Sequence, residues 1–306
     1  MTYIDKLKRI QALTDKNQTE LAKLLSVSFP TVNSWLNGKS TPRQKAKEKI
    51  DLLYQQYTGV STIDDSVMQQ KKEGMNQLRK QIPNPLKTII SRKDLYDTFV
   101  LELTYHTNSI EGSTLNEPEV KAVIFDNATI PDKTVVEHQE AKNHQAALGY
   151  LFNALNEGKS AIEEDDIKKL HSILINGIWP NAGQYRTHPV RIVGSSVVTA
   201  NYLKVPELMA DFVKLLNTKP QDVISHLALT HAQFEKIHPF SDGNGRVGRL
   251  LMHFITLRDG LPPVLIKREK KIAYYNYLQR AQTEGNPTFL ESFVCDGVLE
   301  AYKLIQ

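Results

Sequence analysis

The sequence predicts a mainly α-helical protein with one β-hairpin and a small helical domain at its amino terminus. Apolar residues recur at helical spacing through most of the 306 residues, which is the pattern of amphipathic helices around a core. The stretch 186–199 instead places β-branched residues on both sides of Gly194-Ser195-Ser196, which is typical of two strands joined by a turn. The chain is also long enough to form two domains.

The composition is that of an ordinary soluble globular protein, with 41% hydrophobic and 24% charged residues. A single cysteine, Cys295, excludes an internal disulfide and is typical of a reducing compartment. The first residues contain no apolar segment like that of a secretory signal, and no apolar run is long enough to span a membrane. We therefore expect a cytoplasmic protein without a membrane partner.

Positive charge is concentrated at the amino terminus. Residues 1–57 contain ten Lys or Arg and five Asp or Glu, a balance of +5. Because the whole chain carries +4, the remaining residues sum to 4 − 5 = −1. This asymmetry indicates a small nucleic-acid-facing unit attached to a nearly neutral body.

Four helical patterns fill the N-terminal unit. They cover Ile4–Leu13, Gln18–Leu25, a third segment around Val32–Leu36 that stops at Gly38, and Lys45–Tyr57. The polar stretch Thr58–Asp65 is predicted to be a linker. We thus predict an N-terminal domain at 1–57, a linker and connecting helix at 58–90, and a larger domain at 91–306 with its core at about 136–300.

Helical patterns continue beyond the linker, with one segment interrupted by Pro83 and Pro85. The predicted helices are Asp94–Glu111, Val136–Asn156, Glu164–Asn176, Val205–Leu216, Asp222–Lys236, Asn244–Asp259, Ala273–Gln282 and Thr288–Ile305.

The segment His238–Arg249 lies between two of these helices and has the sequence His-Pro-Phe-Ser-Asp-Gly-Asn-Gly-Arg-Val-Gly-Arg. Its glycines let the backbone approach a ligand closely and leave unpaired N–H groups at the start of the next helix. These donors and the helix dipole favour an anion. Arg246 and Arg249 project from the same side, which is unfavourable at a helix N-terminus unless an anion binds there. A polyphosphate would resolve this conflict.

Two further side chains complete the chemistry of the segment. Asp242 offers the single carboxylate that Mg²⁺ typically takes from a protein when phosphates complete its coordination shell. His238 can accept a hydroxyl proton at neutral pH, because imidazole has a pKa of about 6.5. The alternative is a glycine-rich turn with two solvated arginines, but nine specified positions within twelve residues are rarely a coincidence.

The segment resembles the signature of Fic-domain proteins, His-Pro-Phe-x-(Asp/Glu)-Gly-Asn-Gly-Arg-x-x-Arg, and matches every fixed position. The resemblance implies an all-α Fic fold that moves AMP from ATP and Mg²⁺ to a Ser, Thr or Tyr hydroxyl of a target protein or of itself. It implies that His238 is the general base and Asp242 the Mg²⁺ ligand. The implied phosphate-binding residues are Gly243, Asn244 and Gly245 for the α- and β-phosphates, Arg246 for the β- and γ-phosphates, and Arg249 for the γ-phosphate.

The predicted hairpin is similar to the flap of Fic proteins, which aligns the target's backbone by adding a strand. This resemblance implies that Arg191, Ile192, Val193 and Gly194 border the nucleotide and the target. It also implies that Tyr274 and Tyr275, with Gln282, line the nucleoside pocket. The alternatives are a plain surface hairpin and tyrosines that belong to the core.

A second motif closes the predicted helix 94–112. Glu111 at a helix C-terminus is electrostatically unfavourable unless a cation meets it, and Thr107 lies on the same face. With Gly112, these residues resemble the inhibitory motif (Ser/Thr)-x-x-x-Glu-(Gly/Asn) of Fic proteins. The resemblance implies that Glu111 pairs with Arg249 and holds the enzyme at low activity, although in some relatives the same glutamate supports removal of AMP. A solvated carboxylate is the alternative.

The segments 18–22 and 28–38 resemble the helix-turn-helix of Cro and phage repressors. The resemblance implies that Gln18 lies near a DNA phosphate and that Ser28, Phe29 and Asn33 face base edges. DNA would then be a partner of residues 1–57, bound by a homodimer. A domain that binds protein or mediates dimerisation is the alternative.

Three functions follow from these patterns. The first is a self-restrained AMP transferase with a DNA-binding unit, and the second is a DNA-binding transcriptional regulator whose Fic domain senses nucleotide, turns over weakly or removes AMP. A toxin element is the third. An intact His238 favours the first, because a sensor needs no base. His226 and His231 are predicted to be packed or surface residues, and no role is predicted for the remaining histidines, which are His106, His138, His144, His171, His188 and His253.

Overall fold

The computed structural model of the protein describes residues 2–14, 16–58, 65–192 and 194–306. Fifteen α-helices occur within them, together with short 3-10 turns at Tyr202–Lys204 and Arg268–Lys270. In chain order the helices are α1 Tyr3–Thr14, α2 Gln18–Leu25, α3 Phe29–Leu36, α4 Gln44–Thr58, α5 Asp65–Gln81, α6 Pro85–Ser91, α7 Lys93–Glu111, α8 Glu117–Phe125, α9 Val135–Asn156, α10 Glu164–Leu174, α11 Val205–Leu216, α12 Val223–Ile237, α13 Asn244–Arg258, α14 Lys271–Glu284 and α15 Thr288–Ile305. The mainly helical fold is therefore confirmed.

Local signals in the sequence begin several of these helices. Asn17 caps α2 and Thr134 caps α9, each forming a reciprocal capping box with a glutamate three residues later. Such boxes satisfy two N–H groups that the first helical turn leaves unpaired. The end of α7 follows the same logic, because Gly112 adopts a left-handed conformation with φ of 114° and its N–H bonds to the last turn.

Helices α1–α4 enclose an apolar cluster of their own, built around Leu7, Leu21, Val32 and Trp35. A second and larger cluster fills the body formed by α5–α15. The N-terminal helices also touch that body, because α4 packs against α14 and Asn276 Nδ2 donates a hydrogen bond to the carbonyl of Tyr57 at 2.7 Å. Residues 59–64 of the predicted linker lie outside the described residues.

Helix α13 is the centre of the larger body. Nearly every residue from Asn244 to Leu257 is buried, because α12, α9, α10 and α7 pack around it. A helix buried on most sides needs apolar residues around its circumference. The exceptions near its start, Arg246 and Arg249, are charged and yet buried. The chain therefore places two arginines inside the body, at the N-terminal end of this helix.

The prediction of a β-hairpin at Arg186–Thr199 is wrong for the residues that the structure describes, which form no strand there. A turn is present, since the N–H of Ser195 bonds to the carbonyl of Ile192 at 3.2 Å. The ends of the segment bond elsewhere, because Arg186 N–H donates to Pro239 O at 2.9 Å and Ala200 N–H to Lys236 O at 3.2 Å. A lone pair of strands is marginally stable, so these contacts with the α12 end determine the conformation. Residues 186–200 are called the flap loop below.

The region predicted as linker and connecting helix contains α5 and α6. Helix α5 lies along α15, where Lys72 forms ion pairs with Asp222 and, at 3.5 Å, with Glu291. None of the helices in the described residues is both long and apolar enough to cross a membrane.

Candidate active site

The loop between α12 and α13, residues 238–243, is called the catalytic loop below. Helix α12 ends at His238, whose backbone is left-handed with φ of 52° and ψ of 60°. The helix stops at this residue because the following Pro239 disfavours a right-handed helical conformation in the residue before it. The Asn244 side chain then closes the loop, accepting from Phe240 N–H at 2.8 Å and donating to Phe240 O at 2.9 Å.

His171 on α10 supports the other side of the catalytic loop. Its ring stacks on Phe240 with centroids 3.8 Å apart. The N–H of Gly183 donates to His171 Nδ1 at 2.8 Å, so the proton of the neutral ring lies on Nε2, which donates to the carbonyl of Asp242 at 3.1 Å. Burial lowers the pKa of His171 to about 4, which keeps this tautomer neutral.

Arg186 joins the catalytic loop to the flap loop. Its buried guanidinium donates to the carbonyls of His238 at 2.7 Å, His188 at 2.9 Å, Ala200 at 2.5 Å and Ile237 at 3.3 Å. Two of these carbonyls belong to the end of α12, where the helix dipole favours a cation. One side chain thus satisfies four main-chain acceptors from both loops.

His238 forms a main-chain hydrogen bond through one ring nitrogen, Nδ1, and among the described residues its other nitrogen, Nε2, forms none. Its side chain is 17% exposed, and Nδ1 lies 3.2 Å from the carbonyl of Glu235. A carbonyl only accepts, so Nδ1 carries the proton and Nε2 keeps its lone pair. Burial lowers the pKa of His238 below its ordinary value, against the carbonyl hydrogen bond that raises it. The ring is therefore suited to accept a proton at neutral pH.

The first turn of α13 begins at Gly243, whose φ of 75° is in the left-handed region. Arg246 is buried there and pairs with Glu140 of α9, Nη1 to Oε1 at 2.7 Å. Its Nη2 lies 3.4 Å from Oδ2 of Asp242, whose side chain remains 53% exposed. An exposed carboxylate and a buried guanidinium thus stand side by side at the helix N-terminus.

Arg249 is 2% exposed and is engaged by the end of α7. Its Nε donates to Thr107 Oγ1 at 2.5 Å, and its Nη2 forms an ion pair with Glu111 Oε1. Loss of water raises the pKa of the Glu111 carboxyl, but the charge and hydrogen bond of Arg249 outweigh this and lower it below its ordinary value. The carboxyl is therefore ionised at neutral pH.

The Glu111 carboxylate lies directly against the start of α13. A Cβ atom at Gly245 would come within 2.5 Å of Glu111 Oε1, so only glycine admits the carboxylate there. Glu111 Oε1 therefore lies beside the first turn of α13, between Gly245 and Arg249.

The three residues predicted to line the nucleoside pocket differ in burial and in hydrogen-bond partner. Tyr274 is buried and hydrogen-bonds through its hydroxyl to His231 Nε2 at 2.6 Å, whereas Tyr275 is partly exposed. Gln282 donates to Ala232 O at 3.2 Å and lines a cavity of about 400 Å³. The cavity's other lining residues are Val198, Ala200, Leu208, Leu229, Ala232, Gln233, Lys236, Ile237 and Ala281.

In the flap loop, Arg191 and Gly194 are exposed and Ile192 is half-buried. Val193 lies outside the described residues. Ser195 Oγ donates to Gln279 Oε1 of α14 at 3.1 Å, which ties the turn to the helix that carries Tyr274 and Tyr275.

The helix-turn-helix residues lie near one another on α2 and α3. Asn33 Nδ2 donates to Gln18 Oε1 at 3.0 Å, and Ser28 Oγ lies 2.8 Å from Thr31 Oγ1. The Phe29 side chain is 47% exposed although it is apolar. A polar pair and an exposed ring therefore share the surface formed by these two helices.

Sequence reasoning overlooked four residues of the site, namely Glu140, His171, Arg186 and Glu235. Glu235 alone left a local signal, since it precedes His238 by one helical turn. In the described residues, no group of three or more His, Cys, Asp or Glu side chains is arranged to hold a metal ion. A Mg²⁺ ion held by one carboxylate and by phosphates, as predicted for Asp242, requires no such group.

Comparison with known proteins relates these observations to a family. Residues 161–256 match the model of the Fic/DOC family. A protein adenylyltransferase of Caenorhabditis briggsae is 34% identical over 227 residues, which are 72% of this chain and 43% of the relative. A protein adenylyltransferase of Nematostella vectensis is 36% identical over 180 residues, which are 58% of this chain and 42% of the relative. The chain spans less than half the length of these curated relatives.

Solved structures agree on the fold. A Fic protein fragment from C. elegans superposes with a TM-score of 0.69 at 24% identity, covering 94% of this chain and 84% of that one. A Fic-domain signalling protein from Bacteroides thetaiotaomicron gives a TM-score of 0.66 at 24% identity, covering 78% of this chain and 96% of that one. The chain therefore has the fold of these proteins, and its residues 161–256 match the Fic/DOC family model.

Proposed function

We propose that the chain is a protein adenylyltransferase that moves AMP from ATP to a hydroxyl group of a target protein, and that Glu111 restrains it. The observation that carries this proposal is the contact of an ionised Glu111 carboxylate with Arg249 and Gly245 at the N-terminus of α13. The curated relatives named as protein adenylyltransferases support the same activity.

The residues around α13 fit a triphosphate. Nη1 of Arg249 and Nε of Arg246 are buried without a hydrogen-bond partner among the described residues, so an anion has donors to meet. Gly243 and Gly245 stand at the start of α13, and an added Cβ would lie 2.8 Å from Ile175 Cδ1 at Gly243 and 2.5 Å from Glu111 Oε1 at Gly245. The N–H groups of this first turn are the donors that a helix N-terminus offers to an anion. Asp242 is exposed beside Arg246 and would hold Mg²⁺ through one carboxylate oxygen. When bound, Mg²⁺ would neutralise part of the phosphate charge.

The transfer uses groups of the chain for proton movement and charge stabilisation. The target's hydroxyl oxygen attacks the α-phosphorus of ATP, and its proton moves to Nε2 of His238. The bond between the α-phosphorus and the bridging oxygen breaks in line with the attack, and pyrophosphate leaves. Arg246, Arg249 and the N–H groups of α13 hold the phosphates, so positioning and charge stabilisation supply most of the rate.

Glu111 restrains the reaction because its carboxylate and the γ-phosphate compete for Arg249. A charge-assisted hydrogen bond contributes roughly 1.5–3 kcal/mol. Its loss from the resting state would therefore increase productive ATP binding by roughly 10- to 150-fold.

The test is labelling by ATP that carries its label on the α-phosphate, with Mg²⁺ present. Glu111→Gly should increase labelling of the protein itself and of lysate proteins, and adding His238→Ala should abolish it. Glu157→Gly is a matched control, because Glu157 is an exposed glutamate before a glycine at the end of α9. A Glu111→Gly protein that is folded and labels nothing would show that the chain is not an adenylyltransferase.

We also propose that α1–α4 bind duplex DNA as a homodimer. The net charge of +5 on residues 1–57 and the surface formed by Gln18, Ser28, Phe29 and Asn33 support this proposal. Anisotropy of labelled duplex DNA should report affinity that falls steeply with salt. An affinity insensitive to salt would instead indicate a protein partner.

A further inference from the structure

Glu235 is a buried carboxyl group that the transfer mechanism above does not use. It lies on α12, one turn before His238, and is 5% exposed. Its Oε1 has no hydrogen-bond partner among the described residues, and its Oε2 lies 3.7 Å from Nδ1 of His238. Burying an unpaired carboxyl group destabilises the folded state, so a contribution to stability does not explain why Glu235 is buried.

The neighbouring helix is shaped to accommodate this side chain. A Cβ atom at Gly248 of α13 would lie 2.5 Å from Glu235 Oε1 and 3.1 Å from Cε1 of His231. Glycine inside a helix is destabilising relative to alanine. The glycine at this position therefore leaves room for Glu235 and His231 beneath the catalytic loop.

Charged and titratable groups on its own helix and on three neighbouring helices face Glu235. They are His231 and His238 on its own helix, Arg249 on α13, Glu111 on α7, and Tyr274 and Tyr275 on α14. Burial raises the pKa of Glu235 to about 8, the charge of Arg249 opposes this rise, and the charge of Glu111 adds to it. The carboxyl therefore changes its charge close to neutral pH.

We infer that Glu235 is a positioning residue for the proposed transfer, acting through His238. When Nε2 of His238 takes the proton of the target hydroxyl, the ring becomes an imidazolium. Its Nδ1–H donates to the Glu235 carbonyl at 3.2 Å, and the carboxylate, whose Oε2 lies 3.7 Å from Nδ1, stabilises the new positive charge through its own negative charge. The proton stays on His238 until the products leave, so Glu235 neither gains nor loses one.

This inference rests on the proposed function and predicts a pH profile. Below about pH 8 Glu235 is mostly protonated and cannot stabilise the imidazolium, whereas above it the carboxylate is present. The rate of AMP transfer should therefore rise with pH through that region. A residue that merely fills space would give no such rise.

The experiment compares Glu111→Gly with Glu111→Gly/Glu235→Gln at saturating ATP and Mg²⁺, using self-labelling rates from about pH 5 to about pH 9. Because Glu111→Gly removes a charge that raises the pKa of Glu235, the rise in this background should lie at lower pH than the titration of Glu235 in the wild-type protein. Glutamine keeps the shape of the side chain but cannot ionise. We expect kcat to fall roughly 10- to 100-fold and the rise with pH to disappear, while KM for ATP stays within about twofold. Glu291→Gln is the control, because this half-buried carboxylate pairs with Lys72 away from the site.

Two outcomes would overturn the inference, and a third concerns the proposed function. An unchanged kcat with an unchanged pH profile would remove any role of Glu235 in proton handling. If the glutamine variant does not fold by circular dichroism, Glu235→Asp decides, since it should retain the rise with pH at a lower rate and a flat profile would contradict us. Absence of labelling with Glu235 intact would instead refute the transferase activity itself.

Discussion

The catalytic loop and the flap loop border the same site but are held in different ways. The catalytic loop is surrounded by buried partners, because Asn244 bonds both main-chain groups of Phe240 and His171 stacks on its ring. The flap loop is anchored mainly at its ends and by Thr199 Oγ1, which donates to Val190 O at 2.8 Å. Its Val198 side chain is 84% exposed. The catalytic loop is thus held by buried partners, whereas much of the flap loop contacts solvent.

Arg186 hydrogen-bonds to both loops, so replacing it should have the largest effect on how the catalytic loop and the flap loop are held. Arg186→Ala leaves four carbonyls without their donor, and each buried unsatisfied group costs about 1–3 kcal/mol. We expect the melting temperature to fall by roughly 5–10 °C and labelling by the Glu111→Gly enzyme to fall more than about 100-fold.

Differential scanning calorimetry and labelling of the same preparations measure these two effects. Arg186→Lys is the control, since it keeps the charge but loses the planar fork of donors and should recover only part of the stability. If Glu111→Gly/Arg186→Ala labels as strongly as Glu111→Gly alone, the two loops hold their positions independently of each other.

A smaller effect is expected from the contact between Thr107 and Arg249. Thr107→Val preserves the shape of the side chain but removes the acceptor of Arg249 Nε, so the arginine is held less firmly against Glu111. Labelling by the otherwise wild-type protein should rise about two- to tenfold, less than in Glu111→Gly, because the ion pair remains. Labelling below the wild-type level would show that Thr107 serves ATP binding rather than restraint.

The smallest effect is expected within the flap loop. Ser195→Ala removes the hydrogen bond to Gln279 at 3.1 Å from a part-buried turn. Since the ends of the loop are anchored elsewhere, we expect kcat for self-labelling to change by less than about twofold and the melting temperature by about 1 °C or less. A loss comparable to that of Arg186→Ala would mean that this turn, and not the anchored ends, organises the flap loop.

Much of the fold was predictable because helices depend on neighbouring residues. The periodic apolar positions of α12 and α13 predicted both helices to within two residues at each end. The hairpin prediction failed for the opposite reason. β-Branched residues around Gly194 favour extended backbone, but strands need partners, and the main-chain groups at the loop's ends bond to Pro239 and Lys236.

Residues of the site divide in the same way. His238, Asp242 and the two arginines form a contiguous motif, so their association follows from the chain itself. The pairing of Glu111 with Arg249, 138 residues apart, was expected only from the resemblance of its motif to that of Fic proteins. No motif in the sequence predicted the contact of Arg246 with Glu140, which lies 106 residues away.

Local chemistry therefore determines that α13 begins at a glycine-rich turn and that a histidine stands before that turn. Packing decides which groups surround that turn. His171, Arg186 and Glu140 reach this turn from separate helices and loops. Their contacts with it depend on residues far away in the sequence, so the residues next to them give no sign of these contacts. Glu235 depends on both sequence and packing. The sequence places it one helical turn before His238, whereas its burial between α12 and α13 raises its pKa. Desolvation depends on every element around a group, and for that reason it becomes visible only in the folded chain.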